Sequence, residues 1–170
     1  MHTMNIGVVG AGVFGLAAAI ETRARGHNVT IFDQGTVPYK NASSTDVSKG
    51  IRRTWYAGDN DTYVELVERA AIQWRLWENR FGESFYHQVG GLSIVNTFNP
   101  GDPMFASVEY LRERGTDIKV LSPKETISLF PQFRIPQNQV CIYDRWAGYI
   151  ESGRAVYFMS RLAREEGVEL

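Results

Sequence analysis

Six residues near the start of the chain, Gly10-Ala11-Gly12-Val13-Phe14-Gly15, constrain its fold more than any other feature. They follow a short apolar run, residues 5–9, that suits a strand buried on both faces. They run into residues 13–25, whose apolar positions recur at helical spacing until Gly26. Glycine at the first position allows a tight turn, at the second it lets a ligand approach the backbone, and at the third it lets helix and strand pack closely. The helix start then offers N–H groups and the positive end of its dipole, which can bind a pyrophosphate without any charged side chain. Residues 29–32 form another apolar run, so strand, turn, helix and strand fit one βαβ unit with parallel strands. The expected fold class is α/β.

Asp33 closes the second strand 18 residues after Gly15, where a carboxylate would meet the ribose hydroxyls of an adenosine. Glycines and carboxylate together indicate an adenine dinucleotide and serve FAD or NAD equally well. Composition narrows the other possibilities. Eighteen Lys and Arg against 19 Asp and Glu give a net charge of −1, so no bulk field attracts nucleic acid or an anionic membrane. The single cysteine, Cys141, cannot close an internal disulfide, and with three scattered histidines it offers no metal-ligand spacing. The expectation is no metal, a reducing compartment and a buried strand thiol. The apolar stretch 6–20 is interrupted by four glycines and lacks a basic leader, unlike a secretory signal or a membrane span.

Residues 34–61 dissolve into Gly, Pro, Ser, Thr and Asn with embedded basic residues, a long loop of the kind that carries function. Asp61 then opens a helix with Val64, Val67, Ala71, Trp74, Trp77 and Phe81 on one stripe, read as core, and Gly82 as its stop. Residues 85–96 alternate around Gly90-Gly91 and fit a hairpin or one bulged strand equally well. A helix over 103–114 and a strand over 117–121 follow. Ser122-Pro123-Lys124-Glu125 is a capping box opening a short helix that ends before Pro131. Residues 140–143 form a strand, and Ser152 caps a helix carrying Val156, Met159, Leu162 and Ala163 on one face. A dinucleotide-binding half needs three parallel strands, and only two precede the long loop. Residues 168–170 are therefore read as the third. The nucleotide layer is expected in two pieces, 1–84 and 145–170, continuing past residue 170, with part of a second domain at 85–144.

The loop Ser43-Ser44-Thr45-Asp46-Val47-Ser48-Lys49-Gly50-Ile51-Arg52-Arg53 places three cations within five residues, beside hydroxyls able to donate to phosphate or to a flavin ring. Gly-Ala-Gly with a third glycine, a strand ending in Asp33, then Ser44 followed by Lys49 and Arg52 and a long helix, resembles the FAD-dependent amine oxidases. That family, within the D-amino acid oxidase superfamily, is typified by monomeric sarcosine oxidase and includes N-methyltryptophan and fructosyl amino acid oxidases. The resemblance continues through Gly90-Gly91-Leu92-Ser93-Ile94-Val95 and through Gly148-Tyr149-Ile150 before the helix containing Arg154.

This resemblance implies a Rossmann-like FAD layer of glutathione-reductase type, interrupted by a smaller α+β substrate domain. Gly10, Gly12 and Gly15, with Val13 and Phe14 at the helix start, would hold the FAD pyrophosphate, and Asp33 with Gln34 the adenosine ribose. Ser43, Ser44, Ser48 and Lys49 would lie along the cofactor, with Lys49 next to the flavin ring and Arg52 clamping the substrate carboxylate; Lys49 and Arg52 are the candidate catalytic residues. Arg53 has no family counterpart and is read as structural. Lys49 stands where sarcosine oxidase has arginine, and Asp46-Val47-Ser48-Lys49 is closer to the fructosyl amino acid oxidases, which leaves the substrate open.

The implied reaction moves hydride from the carbon beside the nitrogen of a secondary amine or N-substituted amino acid to FAD, and molecular oxygen then takes the electrons as peroxide. Rival readings are an NAD-dependent dehydrogenase, a related FAD enzyme acting on D-amino acids, glycine or glycerol phosphate, and a non-catalytic nucleotide-binding fragment. The partners are the small amine and oxygen, with no nucleic acid and no membrane. The full-length protein is expected as a monomer in the cytoplasm, or in the peroxisome of a eukaryote. Trp55 and Tyr56 are read as packing beneath the helix rather than walling a cavity, His87 as a spectator, and His2 and His27 as incidental.

Overall fold

A computed structural model describes residues 2–56 and 61–170 of the 170-residue chain, so residues 57–60 of the long loop lie outside the described residues. In chain order the elements are β1 (Asn5–Val9), α1 (Val13–Ala24), β2 (Asn28–Phe32), β3 (Lys49–Ile51), α2 (Asp61–Phe81), β4 (Tyr86–His87), β5 (Gly91–Val95), α3 (Pro103–Glu113), β6 (Ile118–Leu121), α4 (Pro123–Leu129), β7 (Val140–Asp144), β8 (Gly148–Ile150) and α5 (Ser152–Glu165). They form two compact units. The first comprises residues 1–49, 81–85 and 150–170, and the second residues 50–80 and 86–149. This division groups most of α2 with the second unit, whereas the sequence reading drew residues 1–84 as one piece.

In the first unit β1 and β2 run parallel, in a register that pairs Asn5 with Asn28 and Val9 with Phe32. The third parallel element is where the sequence placed it, as a single bridge between Thr30 and Glu169. The Ile31 N–H donates to the Glu169 carbonyl at 2.8 Å and the Glu169 N–H to that of Val29 at 3.0 Å. Helix α1 buries Leu16, Ala19 and Ile20, and α5 buries the face expected of it, Val156, Met159, Leu162 and Ala163. The Arg23 side chain, donating to the Glu166 carbonyl at 2.8 Å, ties the ends of these helices together.

The sequence predicts strands buried on both faces. Among the described residues Val29 and Ile31 are buried, while Val9 and Phe32 are 91% and 60% exposed, so burial alternates along β1 and β2 in this stretch of chain.

The second unit holds an antiparallel sheet in the order β5-β7-β6, and its core joins Val64 of α2, Met104, Val108 and Leu111 of α3, Ile118 and Ile142. The α2 stripe is core as read, with Val64, Ala71, Trp74 and Trp77 buried and the two tryptophans meeting edge to face at 5.1 Å. Cys141 on β7 is buried with Leu121 and Ile135. A further sheet has the order β3-β8-β4.

Residues 85–96 form neither a hairpin nor one bulged strand, because β4 joins β8 while β5 joins β7. Gly90, at φ +85°, makes the switch, its N–H donating to the Ala147 carbonyl at 2.8 Å. Gly148 lets β8 pass so near β4 that a Cβ there would lie 2.1 Å from the His87 carbonyl oxygen. No helix among the described residues is long and apolar enough to cross a membrane.

Candidate functional site

The turn between β1 and α1 is built from backbone. Gly10 adopts φ +96° and donates its N–H to the Phe32 carbonyl at 2.8 Å. A Cβ on Gly15 would stand 1.9 Å from the Gly10 carbonyl oxygen, so the third glycine is required by the closeness of helix and turn. Gly12 is the N-cap of α1. No side chain caps the helix and no acidic residue lies in its first turn. The N–H groups at this helix start and the positive end of its dipole therefore face no competing carboxylate from within the helix.

Asp33 is fastened to this turn. One carboxylate oxygen accepts the Ala11 N–H at 2.7 Å and the other the Gly35 N–H at 3.0 Å. These backbone hydrogen bonds, with a smaller one from Gln34, hold its carboxyl below the usual carboxylate range. Each oxygen keeps a further lone pair for a hydroxyl donor.

A cavity of about 250 Å³ opens beside the turn, lined by Ala11, Gly12, Asp33, Gln34, Ser44 and Val156, with Tyr39, Asn41, Ala42 and Thr45 at the loop side. It thus brings together four residues chosen from the sequence: Gly12, Asp33, Gln34 and Ser44. Gly10, Val13, Gly15, Ser43, Ser48 and Lys49 do not line it, and the Phe14 side chain is 88% exposed. Val13 and Phe14 can therefore contribute backbone N–H groups at this turn. The loop lining went unrecognised in the sequence. Its organiser is Thr45, whose hydroxyl lies 2.8 Å from the Ala42 carbonyl and 2.6 Å from that of Tyr39. A threonine bonding three residues back is a readable loop signal, and it was the available clue.

Lys49 is ion-paired with Asp46. The other Asp46 oxygen accepts from the Ser152 hydroxyl at 2.8 Å, and the Asp46 carbonyl accepts the Gly153 N–H at 3.2 Å. The Lys49 hydrogen bond first, then that of Ser152, holds the Asp46 carboxyl below its ordinary value. Ser152 is therefore not the cap the sequence suggested. It is the first residue of α5, the N-cap is Glu151, and the serine hydroxyl is turned to Asp46 instead.

Around Arg52 the second unit alternates sharply. The Arg52 side chain is exposed, its guanidinium 5.7 Å from the Tyr56 ring centroid, while Arg53 and Thr54 are buried. Arg53 pairs with Asp144 at 2.8 Å. Trp55 and Tyr56 are not beneath the helix, contrary to expectation, but 47% and 43% exposed. Arg53 and Thr54 have taken the inward positions. Trp55 then turns outward at φ +79°, rare for a bulky residue, and edges a cavity of about 320 Å³ with Ile94 and Met104. His87 lies beside Tyr149, the rings tilted by 34° with centroids 4.8 Å apart. Among the described residues no group of three His, Cys, Asp or Glu could hold a metal ion.

A parallel βαβ layer whose glycine turn opens a helix beside a strand-end carboxylate defines a dinucleotide-binding protein. The chain belongs to the FAD dependent oxidoreductase family, whose model matches residues 5–170. It is 26% identical over 162 residues to N-methyl-L-tryptophan oxidase of Salmonella arizonae, which covers 94% of this chain and 42% of that protein. Among solved structures it resembles L-proline dehydrogenase from P. horikoshii, with a TM-score of 0.81 and 21% identity over 99% of this chain and 44% of that one. It also resembles a modified fructosyl peptide oxidase from Aspergillus nidulans, with a TM-score of 0.77 and 20% identity over 98% and 40%. The chain thus spans less than half the length of these relatives.

The α/β fold expected from the sequence is the fold of these structures, and the family decides between the two dinucleotides in favour of FAD. FAD suits the residues present. The cavity of about 250 Å³ lies between the helix start at Gly12 and the Asp33 carboxylate, the two groups that a dinucleotide's pyrophosphate and ribose would use. At Gly12 an added Cβ would make only an ordinary contact, 3.7 Å from the Ser44 hydroxyl, so the space beside the helix start is open.

Proposed function

We propose that the protein is a flavin-dependent oxidase of secondary amines or N-substituted amino acids. The observation that carries this reading is the turn at residues 10–15, whose third glycine touches the Gly10 carbonyl and whose helix start lies beside a cavity edged by Asp33. Substrate class is supported by the relatives. N-methyl-L-tryptophan, L-proline and fructosyl peptides each present a nitrogen bonded to two carbons.

When bound, FAD would supply the hydride acceptor, with molecular oxygen as the final electron acceptor and peroxide as the product. The backbone N–H groups at Gly12, Val13 and Phe14 bind the pyrophosphate, with no cationic side chain required. Asp33 and Gln34 hold the adenosine ribose, and Ser43, Ser44 and Ser48 donate hydrogen bonds along the cofactor. Lys49, ion-paired with Asp46, would be the cation beside the flavin ring and would favour negative charge developing there. Arg52 grips the substrate carboxylate with its planar fork and so sets which carbon faces the flavin. No general base is asked of these residues. We read the full-length protein as a cytoplasmic monomer, as the family resemblance implies.

The test is an anaerobic visible spectrum of the flavin-loaded protein with N-methyl amino acids, L-proline and N-fructosyl amino acids in turn. One secondary amine should bleach the flavin, and readmitted oxygen should restore the colour and yield peroxide. Bleaching by glycine, D-amino acids or glycerol phosphate alone would transfer the protein to another substrate class.

A further inference from the structure

Arg53 follows the residue assigned above to the substrate carboxylate, yet its own side chain is only 8% exposed and fully engaged. Its Nε and one terminal nitrogen reach the two oxygens of Asp144 at 3.3 and 2.8 Å. The other terminal nitrogen reaches Glu68 on α2 at 3.3 Å, and the guanidinium face lies 4.8 Å from the Trp146 ring centroid. Asp144 is buried at the end of β7, where one oxygen also accepts the Trp146 N–H at 3.0 Å. Arg53 is thereby fixed to a strand end, a turn and a helix at once.

A buried ion pair is a poor source of stability, since desolvation offsets most of the attraction and apolar residues of equal volume do as well or better. Its distinctive property is direction. A guanidinium meets both oxygens of a carboxylate in one orientation, which apolar packing does not impose. The neighbouring backbone is equally determined. Thr54 is 3% exposed, and Trp55 is held at a positive φ that a bulky residue keeps only when its surroundings dictate it. Arg52 therefore extends from a backbone fixed one residue away, with Arg53 pointing inward and Arg52 outward.

We propose that the Arg53–Asp144 pair is a positioning device for Arg52, fixing the backbone from which that guanidinium reaches the substrate carboxylate. The proposal rests on the reading of Arg52 as the clamp. It says that the geometry of the pair, rather than its charge or its contribution to folding, sets affinity for carboxylated amines.

The flavin-loaded protein tests this with two matched probe pairs, L-proline against pyrrolidine and N-methyl-L-tryptophan against N-methyltryptamine. The readouts are the concentration dependence of flavin spectral perturbation and of anaerobic flavin reduction. Arg52→Ala should weaken the carboxylated member by about a hundredfold and spare the other. Arg53→Lys keeps the charge but loses the fork. The double variant Arg53→Met with Asp144→Leu replaces the pair by apolar volume. Both should retain flavin and weaken only the carboxylated member, by about tenfold.

If either of these variants loads flavin and binds both members like the wild type, the pair is merely structural and the proposal is overturned. A loss shared equally by both members overturns it as well. Should the double variant fail to load flavin, Arg53→Lys decides alone. If Arg52→Ala spares both members, the clamp reading is wrong and the proposal falls with it. If only Arg52→Ala discriminates, the clamp stands and the positioning role is lost.

Discussion

In the unit of residues 1–49, 81–85 and 150–170, the candidate nucleotide site rests on backbone: a glycine turn, a helix start with no side-chain cap, and N–H groups of Ala11 and Gly35 that hold the Asp33 carboxylate. In the unit of residues 50–80 and 86–149, charge is carried by side chains that face one another. Arg53 lies between Asp144 and Glu68, and Arg75 against Glu78, itself buried and accepting the Tyr86 N–H at 2.7 Å. The contrast teaches where each region is vulnerable. The first depends on the absence of atoms, so a single added methyl group is its severest insult. The second depends on matched partners, so removing one member does more harm than removing both.

The largest effect should come from Gly15→Ala, whose Cβ would have to displace the Gly10 carbonyl from 1.9 Å. Overpacking typically costs about 1–3 kcal/mol, and here the obstacle is backbone rather than a movable side chain, so the loss should reach or exceed about 3 kcal/mol and flavin should be lost with it. Gly26→Ala is the comparator: φ is +88° but nothing lies within 4 Å, so backbone strain is its main cost, about 1–2 kcal/mol. Equal urea midpoints for the two variants would break the account of the turn.

Next comes Asp144→Ala, which leaves Arg53 buried with the partly exposed Glu68 as its remaining carboxylate partner and should cost about 3 kcal/mol in urea unfolding, the low end for a broken buried pair. Arg53→Met with Asp144→Leu should recover most of that. A double variant as unstable as the single one would show that the pair does contribute to stability.

Asp33→Asn sharpens the comparison through pH. The folded pKa of Asp33 is lowered by the Ala11 and Gly35 N–H groups, so its contribution is present above the unfolded carboxylate pKa and is lost as pH falls through the folded value. The stability gap between wild type and Asp33→Asn should be constant near neutrality and close in acid. A gap that widens in acid would reverse the sign and contradict the geometry.

The smallest effect is expected for Tyr86→Phe. The Tyr86 hydroxyl is buried without a hydrogen-bond partner among the described residues, and burial pushes its pKa up. Removing it should leave stability unchanged or raise it by up to about 1 kcal/mol, measured by thermal unfolding. A clear loss would reveal a partner that the polar accounting of the second unit lacks.

Features written in consecutive residues were legible. The βαβ turn, the α2 stripe and the Ser122 capping box were readable, and in the box Ser122 accepts the Glu125 N–H while Glu125 accepts that of Ser122. Even the parallel bridge at Glu169 followed from counting the strands that such a layer requires. Three-residue strands such as β3 and β8 are too short for alternation to register. The chain switch at Gly90 was hidden because its cause, the Ala147 carbonyl, lies far along the sequence. The same holds at the candidate site. Asp46 meets Ser152 across 106 positions and Arg53 meets Asp144 across 91, pairings that no local pattern encodes. Exposure of Trp55 follows from Arg53 and Thr54 being drawn inward, so one missed long-range pair carried a second misreading with it.

The central claim is that the turn at residues 10–15, with Asp33, holds the adenosine diphosphate end of FAD. Equilibrium titration of the flavin-free protein with FAD and with FMN, which lacks the adenylate, tests it most directly. The account predicts that FAD binds tighter by at least about two orders of magnitude, that ADP competes with it, and that Gly15→Ala abolishes the difference. Equal affinity for FMN, or FAD binding that ADP leaves untouched, would contradict it.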